Sequence, residues 1–466
     1  MDVEKNKRRQ SLKIIISEAI MVLAVILTVV VLAFVVSGYW VNSDFKVERQ
    51  GMIQVSSIPT GATLEIDGES PWLQRTNMSK VLTSGEHTIV ITKEGYDSWT
   101  KTVNISEGLL YRVNYPRLFL KKREPKKVFN ASGFTVATSS PDRTKLLLIN
   151  ETTNWTLLNL NEETFKPKKI NVADYFASTS STKKEQVGVF TDKILDVNWD
   201  KNGSHALFKI DKGESFEWVL LDINNIENSI NLTREFSTNF EDIEILDNSS
   251  NNLLAIRSGN LHKIDTSGKV ISSVLVENVL NFDHFENEVV FIAKDEPEKY
   301  YVGLIRVGDN EITKLEAVNK PSKVAISKFY DEKYITVLEE NKLSLFKEKN
   351  FEEMSDFEIS FTPESLKVGR NGEFIIMRAG SKIASLDMES NTVREWEIDG
   401  EDYGWIDGYM VYSVANGELN VYDYDGLNHR VLAKNVSSHF PAMITGDKWL
   451  YYFSDGDLIR ETIIEN

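Results

Sequence analysis

Ala415-Asn416-Gly417-Glu418-Leu419-Asn420-Val421-Tyr422-Asp423 encodes a β-hairpin. Asn-Gly between two alternating runs is a strong short-range hairpin signal, because the type I′ turn it forms matches the right-handed twist of the strands it joins. Phe453-Ser454-Asp455-Gly456-Asp457-Leu458 and Ser258-Gly259-Asn260-Leu261-His262-Lys263-Ile264-Asp265 follow the same grammar. The unit of apolar strand, tight polar turn and second strand recurs eight times. Its second strands are anchored by Trp155, Trp218, Leu261, Val302, Leu343, Ile383, Leu419 and Leu458, at intervals of 63, 43, 41, 41, 40, 36 and 39 residues. A period near 40 built from strands alone predicts a β-propeller, in which each small sheet buries its faces against its neighbours. Eight units predict eight blades, with seven as the alternative count. The strand ahead of each turn is more uniformly apolar, as at 146–149, 289–292, 374–377, 410–412 and 450–453, which predicts packing on both faces. The eighth unit ends at Ile463-Ile464, one strand short of a full blade. Val128 and Phe129 are placed to supply that strand and seal the ring, removing an open edge.

The N-terminus reads differently. Lys5, Lys7, Arg8, Arg9 and Lys13 precede an apolar run over 19–36 that only Thr28 interrupts. Extended by residues 14–16 and by Tyr39 and Trp40, the run is long enough for a bilayer core of about 30 Å. A cleaved secretory signal with its exit near Val35 and Ser37 is the alternative, but such a signal has an apolar core of only about 7 to 15 residues. The expected order is a basic cytoplasmic tail over 1–13, one uncleaved transmembrane helix over 14–40 and a spacer over 41–51. Basic residues stay on the cytoplasmic side, so the C-terminal domains are expected outside the cytoplasm, on a single-pass protein of the cell membrane.

Composition fits that placement. The chain has no cysteine, so its exported part relies on apolar cores instead of disulfides. Beyond residue 40, 48 Lys and Arg stand against 67 Asp and Glu, a surface that repels nucleic acid and anionic headgroups. No nucleic-acid partner is expected, and the acidity reads as a solubilising exterior.

Residues 52–120 alternate in strand fashion through Ile53 and Val55, then Ala62, Leu64 and Ile66, then Ile89 and Ile91, then Val103 and Ile105. Turn clusters Pro59-Thr60-Gly61, Asp67-Gly68, Ser84-Gly85 and Glu94-Gly95 separate them, which predicts a small antiparallel β-sandwich. Its glycines stand where hairpins require positive φ. This order of punctuation resembles the PEGA domain, named for a Pro-Glu-Gly-Ala motif: Pro59-Thr60-Gly61-Ala62, then Asp67-Gly68, then Gly85-Glu86-His87 leading to Lys93-Glu94-Gly95-Tyr96. Thr60 replaces the motif Glu, and the Gly-x-Thr-Pro that usually follows Asp-Gly is reduced to Ser70-Pro71. The resemblance implies an exported, envelope-associated binding or spacer module with no known catalytic residues. Pro59, Gly61, Ala62, Asp67, Gly68, Gly85, Gly95 and Tyr96 are then structural. Tyr96 and Trp99 are expected in the core or at its rim, with carbohydrate stacking by Trp72 or Trp99 as the alternative.

Lys121-Lys122-Arg123-Glu124-Pro125-Lys126-Lys127 reads as a linker, and the propeller as 128–466. Ser140-Pro141-Asp142-Arg143 resembles the Ser-Pro-Asp-Gly turn of TolB-like bacterial propeller repeats, with Arg143 in place of Gly. The long first interval predicts a protruding loop between Asn161 and Phe190, carrying the Ser- and Thr-rich run at 178–182, either a partner contact or decoration.

Catalytic signatures are missing from the sequence: it has no Gly-x-Ser-x-Gly, His-Glu-x-x-His, Walker loop or dinucleotide fingerprint. His87, His205, His262, His284, His429 and His439 show no metal-ligand spacing. Asp423-Tyr424-Asp425-Gly426 and Asp455-Gly456-Asp457 offer oxygens without completing a Ca²⁺ loop, and turn chemistry accounts for them. Nine Asn-x-Ser/Thr sequons, Asn104, Asn154 and Asn231 among them, suit an exported surface. No cofactor or metal is expected. The leading expectation is a non-enzymatic binding or scaffolding protein of the cell envelope, holding an envelope polymer, peptide or protein on its propeller. A hydrolase or lyase acting on an envelope glycan or peptide, and a subunit of a secretion or envelope-assembly complex, are the alternatives.

Overall fold

The computed structural model describes residues 2–36, 39–41, 47–69, 74–176, 193–246, 251–309, 311–320, 322–369, 372–400, 402–438 and 440–465, with side chains at 16–33 and from 49 onward. Ser70-Pro71, Trp72, His439 and the run at 178–182 lie outside the described residues. The chain divides into two units, Met1–Lys121 and Lys122–Asn466.

In the first unit the tail and the span are one element. Asp2–Val36 forms a single helix, α1, because no Pro or Gly interrupts it. The window Ile16–Ala33 has a mean hydropathy of 2.7 and none of it is buried. This window is long and apolar enough to cross a membrane, the composition of an anchor or of a signal sequence.

The spacer expected at 41–51 is largely strand. Tyr39–Val41 pairs antiparallel with Val47–Val55, which then pairs with Met78–Thr83 on its way through the sandwich. The second sheet runs Thr63–Ile66, Gly85–Thr92, Trp99–Ile105. Trp99–Ile105 alternates buried and exposed at every position, as a strand with one face on a core must. Leu110–Val113 closes the first sheet by pairing parallel with Val47–Val55, and a parallel bridge between Ile58 and Arg117 continues the same direction. Gly51 permits the crossing: a Cβ there would stand 2.3 Å from Ser106 O.

Among the described residues the second unit holds eight four-stranded antiparallel sheets, seven of them joined in simple chain order. Blade 1 comprises Val136–Ser139, Lys145–Ile149, Asn154–Asn159 and Lys168–Asn171. Blade 7 comprises Asp402–Trp405, Met410–Ala415, Glu418–Asp423 and Arg430–Lys434. Blade 8 takes Met443–Thr445, Trp449–Ser454 and Asp457–Thr462 from the C-terminus and Lys126–Asn130 from the far end of the unit. Phe129 lies opposite Leu458, so the seam closes with the strand the sequence offered for it. Lys126 and Lys127 therefore belong to a blade, and the linker is shorter than 121–127. The count is eight, not seven.

The hairpin turns have the backbone their sequences call for. Asn416 and Gly417 have φ of 52° and 74°, and Asp455 and Gly456 of 50° and 78°, as type I′ requires at both central positions. The eight anchors all lie in the third strand of their blade, and each is 0–1% exposed. Second strands pack on both faces. Leu146 and Leu148 join Tyr451 and Phe453 of blade 8, whereas Leu147 and Ile149 join Phe208 and Val219 of blade 2. Alternate residues of one strand thus bury themselves in two different interblade cores, which is how a blade too thin for its own core becomes stable.

Candidate functional site

The first strands of successive blades touch, which makes them the inner ring. Trp199 Nε1 of blade 2 donates to Thr138 Oγ1 of blade 1 at 2.9 Å. Asn281 Oδ1 and Asp283 Oδ2 of blade 4 accept the backbone N–H groups of Val324 and Ile326 of blade 5, at 3.0 and 2.9 Å. Side chains of one inner strand thereby complete the backbone of the next.

Titratable groups converge on this ring at blades 3 and 4. In blade 3, Asp242–Ile245 turns Ile243 and Ile245 into the core shared with blade 2, which leaves Asp242 and Glu244 on the opposite side. In blade 4, Val279–Phe285 sends Phe282 into the core shared with blade 3, and His284 follows on the same side. His284 Nδ1 lies 2.9 Å from Glu244 Oε2. Asp283 faces blade 5, and its Oδ1 also accepts the His284 N–H at 2.9 Å. Glu244, Asp283 and His284 each bring a potential ligand atom within 4.8 Å of the others. Burial, reinforced by the Glu244 charge, raises the Asp283 carboxyl well above the carboxylate range. The same two causes push Asp242 up to about 6. The arrangement can share a proton or hold a cation.

No local spacing announces this cluster, because its members sit one blade apart: Glu244 and His284 are separated by 40 positions. A search for inner-strand residues spaced by the repeat period would have paired them.

A second feature is an open polar groove of about 810 Å³ beside blades 2 and 3, lined by His205, Asp222, Asn228, Asn231 and Lys269 among others. Several of these groups already serve the fold. Asp222 Oδ1 accepts from Asn224 N and Asn225 N, and Asn231 caps the helix Leu232–Phe236 by accepting from Arg234 N.

The motif residues singled out in the sequence take up turns and core. Gly61, Gly68, Gly85 and Gly95 all have positive φ, and at Gly68 the turn is shared with Asp67, whose own φ is 55°. Asp67 ties that turn to the next strand: Oδ1 accepts Thr88 N at 2.8 Å and Oδ2 meets His87 Nδ1 at 2.6 Å. The His87 contact holds the Asp67 carboxyl below its ordinary value. Pro59 follows a cis peptide bond, and Ala62 and Tyr96 are buried. Trp99 is fully buried, edge-on to Tyr115 at 5.9 Å, which removes it from any carbohydrate-stacking role.

The remaining histidines are spread over the fold. His205 contacts Asp200 at 3.3 Å, His262 Nδ1 contacts Ser272 O at 3.0 Å, and His429 meets Asn420 Oδ1 at 2.8 Å. The acidic turn at 423–426 is engaged by its own chain: Asp423 Oδ2 accepts from Asn428 Nδ2, and Asp425 Oδ1 from Leu427 N.

Comparison with known proteins adds the following. No curated protein matches the chain. Solved structures similar to it include an oligogalacturonate lyase in complex with manganese, 13% identical over 57% of this chain and 88% of that one, with a TM-score of 0.38. The dihydro-heme d1 dehydrogenase NirN in complex with DHE is 10% identical over 64% of this chain and 65% of that one, at 0.40. The computationally designed Ika8 protein is 11% identical over 73% of this chain and all of that one, at 0.42. Residues 50–117 match the PEGA domain family.

Proposed function

We propose that the chain is a membrane-anchored, extracytoplasmic binding or scaffolding protein of the cell envelope, with the propeller as the platform for an envelope polymer, peptide or protein. The observation that carries this reading is α1, an apolar helix with no buried face, followed directly by a PEGA match and a closed eight-bladed ring. Basic residues ahead of the span set the N-terminus in the cytoplasm and both folded units outside. A catalytic reading has one observation in its favour, the convergence of Glu244, Asp283 and His284 on the inner ring. The binding reading is preferred because these groups join blades: Asp283 accepts the Ile326 N–H of blade 5, and His284 of blade 4 lies against Glu244 of blade 3.

Orientation and platform are testable together. In cells with an opened envelope, a protease that cannot cross the cytoplasmic membrane is expected to remove both folded units and leave α1 with the membrane. The detergent-solubilised full chain is expected to cosediment with isolated envelope polymer. Full protection from the protease overturns the placement, and failure to cosediment overturns envelope polymer as what the platform holds.

A further inference from the structure

We propose that Glu244, Asp283 and His284 form a site for one divalent first-row cation, of the Mn²⁺ or Zn²⁺ class, joining the inner strands of blades 3 and 4. The donor set is mixed: two carboxylate oxygens and an imidazole nitrogen. Carboxylates alone suit Mg²⁺ and Ca²⁺, and the imidazole shifts preference toward Mn²⁺, Zn²⁺ and their neighbours.

Three features make the cluster more than a patch of acid. Its donors come from hydrogen-bonded strands of two different blades and not from a loop, so the scaffold fixes their Cα positions. Asp283 is oriented by Ile326 N–H of blade 5 and by His284 N–H. Orientation of ligands by such hydrogen bonds is the usual support around a bound metal. Finally, Glu244 and Asp283 bring two half-buried carboxylates together beside one imidazole, an arrangement that a dication satisfies by binding all three.

The geometry needs only a small closure. Metal bonds of about 2.0–2.2 Å bring donor atoms to roughly 3 Å from one another. Donors now within 4.8 Å reach that by side-chain rotation of Glu244 and His284, which gives up the hydrogen bond between them and releases its proton. Water from the axial side fills the remaining coordination positions. The inference is independent of what the platform holds, since a cation here stiffens the ring whether or not a ligand is bound.

The test is a titration of the detergent-solubilised full chain, first stripped with a chelator, with MnCl₂ while free Mn²⁺ is read by electron paramagnetic resonance. One Mn²⁺ per chain is expected, displaced by Zn²⁺ and not by Mg²⁺. Glu244→Gln and His284→Gln are each expected to weaken uptake about tenfold or more. Asp196→Asn, on the inner strand of blade 2 and outside the cluster, is expected to titrate as the parent does. Asp283→Asn keeps an acceptor for Ile326 N–H and serves as a further variant if either of the first two fails to fold by circular dichroism. Absence of saturable Mn²⁺ or Zn²⁺ uptake by the parent overturns the proposal, as does unchanged affinity in the folded cluster variants.

Discussion

Arg123 and Glu461 form an ion pair where the propeller closes on itself, with Nε 3.0 Å from Oε2 and side chains only 13% and 6% exposed. Arg123 also donates to Leu432 O at 2.7 Å, and Glu461 Oε1 accepts the Tyr452 hydroxyl at 2.7 Å. Burial, and then the hydrogen bond to Glu461, hold the Tyr452 phenol far above its ordinary range, so it stays a donor at all physiological pH. Arg123 stands three residues ahead of Lys126–Asn130, the strand lent to blade 8. The pair therefore pins the borrowed strand to blades 7 and 8.

Arg123→Met leaves Glu461 buried without its counter-charge, and the expected cost is about 3 kcal/mol. Chemical denaturation of the full chain measures it. Adding Glu461→Gln to Arg123→Met is expected to recover part of the loss, because the stranded charge is then gone. A single variant as stable as the parent means the seam does not depend on this pin.

Asp200 carries a pH dependence with a definite sign. Burial pushes its carboxyl up, but hydrogen bonds from His205 and Ser204 outweigh that and bring it down to about 2. A carboxylate lowered on folding stabilises above its unfolded value near 3.8 and loses that contribution as pH falls through 2. The parent is expected to exceed Asp200→Asn by about 2 kcal/mol at pH 6, with the gap closing toward pH 2. A gap that is flat with pH rejects the assignment.

How much of this was legible depended on whether the determinant was local. Asn416-Gly417 fixes its own turn, and Phe129 could be matched to Leu458 because a missing fourth strand leaves a countable gap. Met78–Thr83 has no clear strand signature, because Ser79, Lys80 and Thr83 blur its alternation. Arg143 departs from Gly in sequence but not in conformation: it takes φ of 57° where Gly203 in the next blade takes 62°, and its guanidinium reaches Trp405 O at 3.1 Å. The inner-ring cluster is the clearest case of a non-local determinant. Glu244 and His284 are brought together by the angular step between blades, which no window shorter than one repeat can contain.

Trp218 joins two blades by one bond as well as by packing. Its Nε1 donates to Phe240 O at 3.0 Å, and the ring is buried with Leu207, Leu253 and Ile264. Trp218→Phe keeps most of the apolar area but strands a buried carbonyl, so about 1–3 kcal/mol is expected to be lost. Equilibrium unfolding checks it, and a cost below a few tenths of a kcal/mol places the Phe240 carbonyl in contact with water.

Gly303 is required by its neighbour and not by its backbone. It pairs with Phe291 across the second and third strands of blade 4, and a Cβ at 303 would stand 2.3 Å from Phe291 Cζ. Phe291 is fully buried and edge-on to Tyr301 at 5.8 Å, so it has no room to retreat. Gly303→Ala is expected to cost about 1–3 kcal/mol through overpacking, against the small gain that Gly→Ala gives where space allows. The cause is separable by a double variant. Phe291→Leu alone opens a cavity and destabilises, but with Gly303→Ala the new methyl occupies part of that space. The pair is therefore expected to lose less than the sum of the singles, by 0.5 kcal/mol or roughly more, when unfolding is followed by denaturant titration. Strict additivity means that Phe291 is not what excludes a side chain at 303.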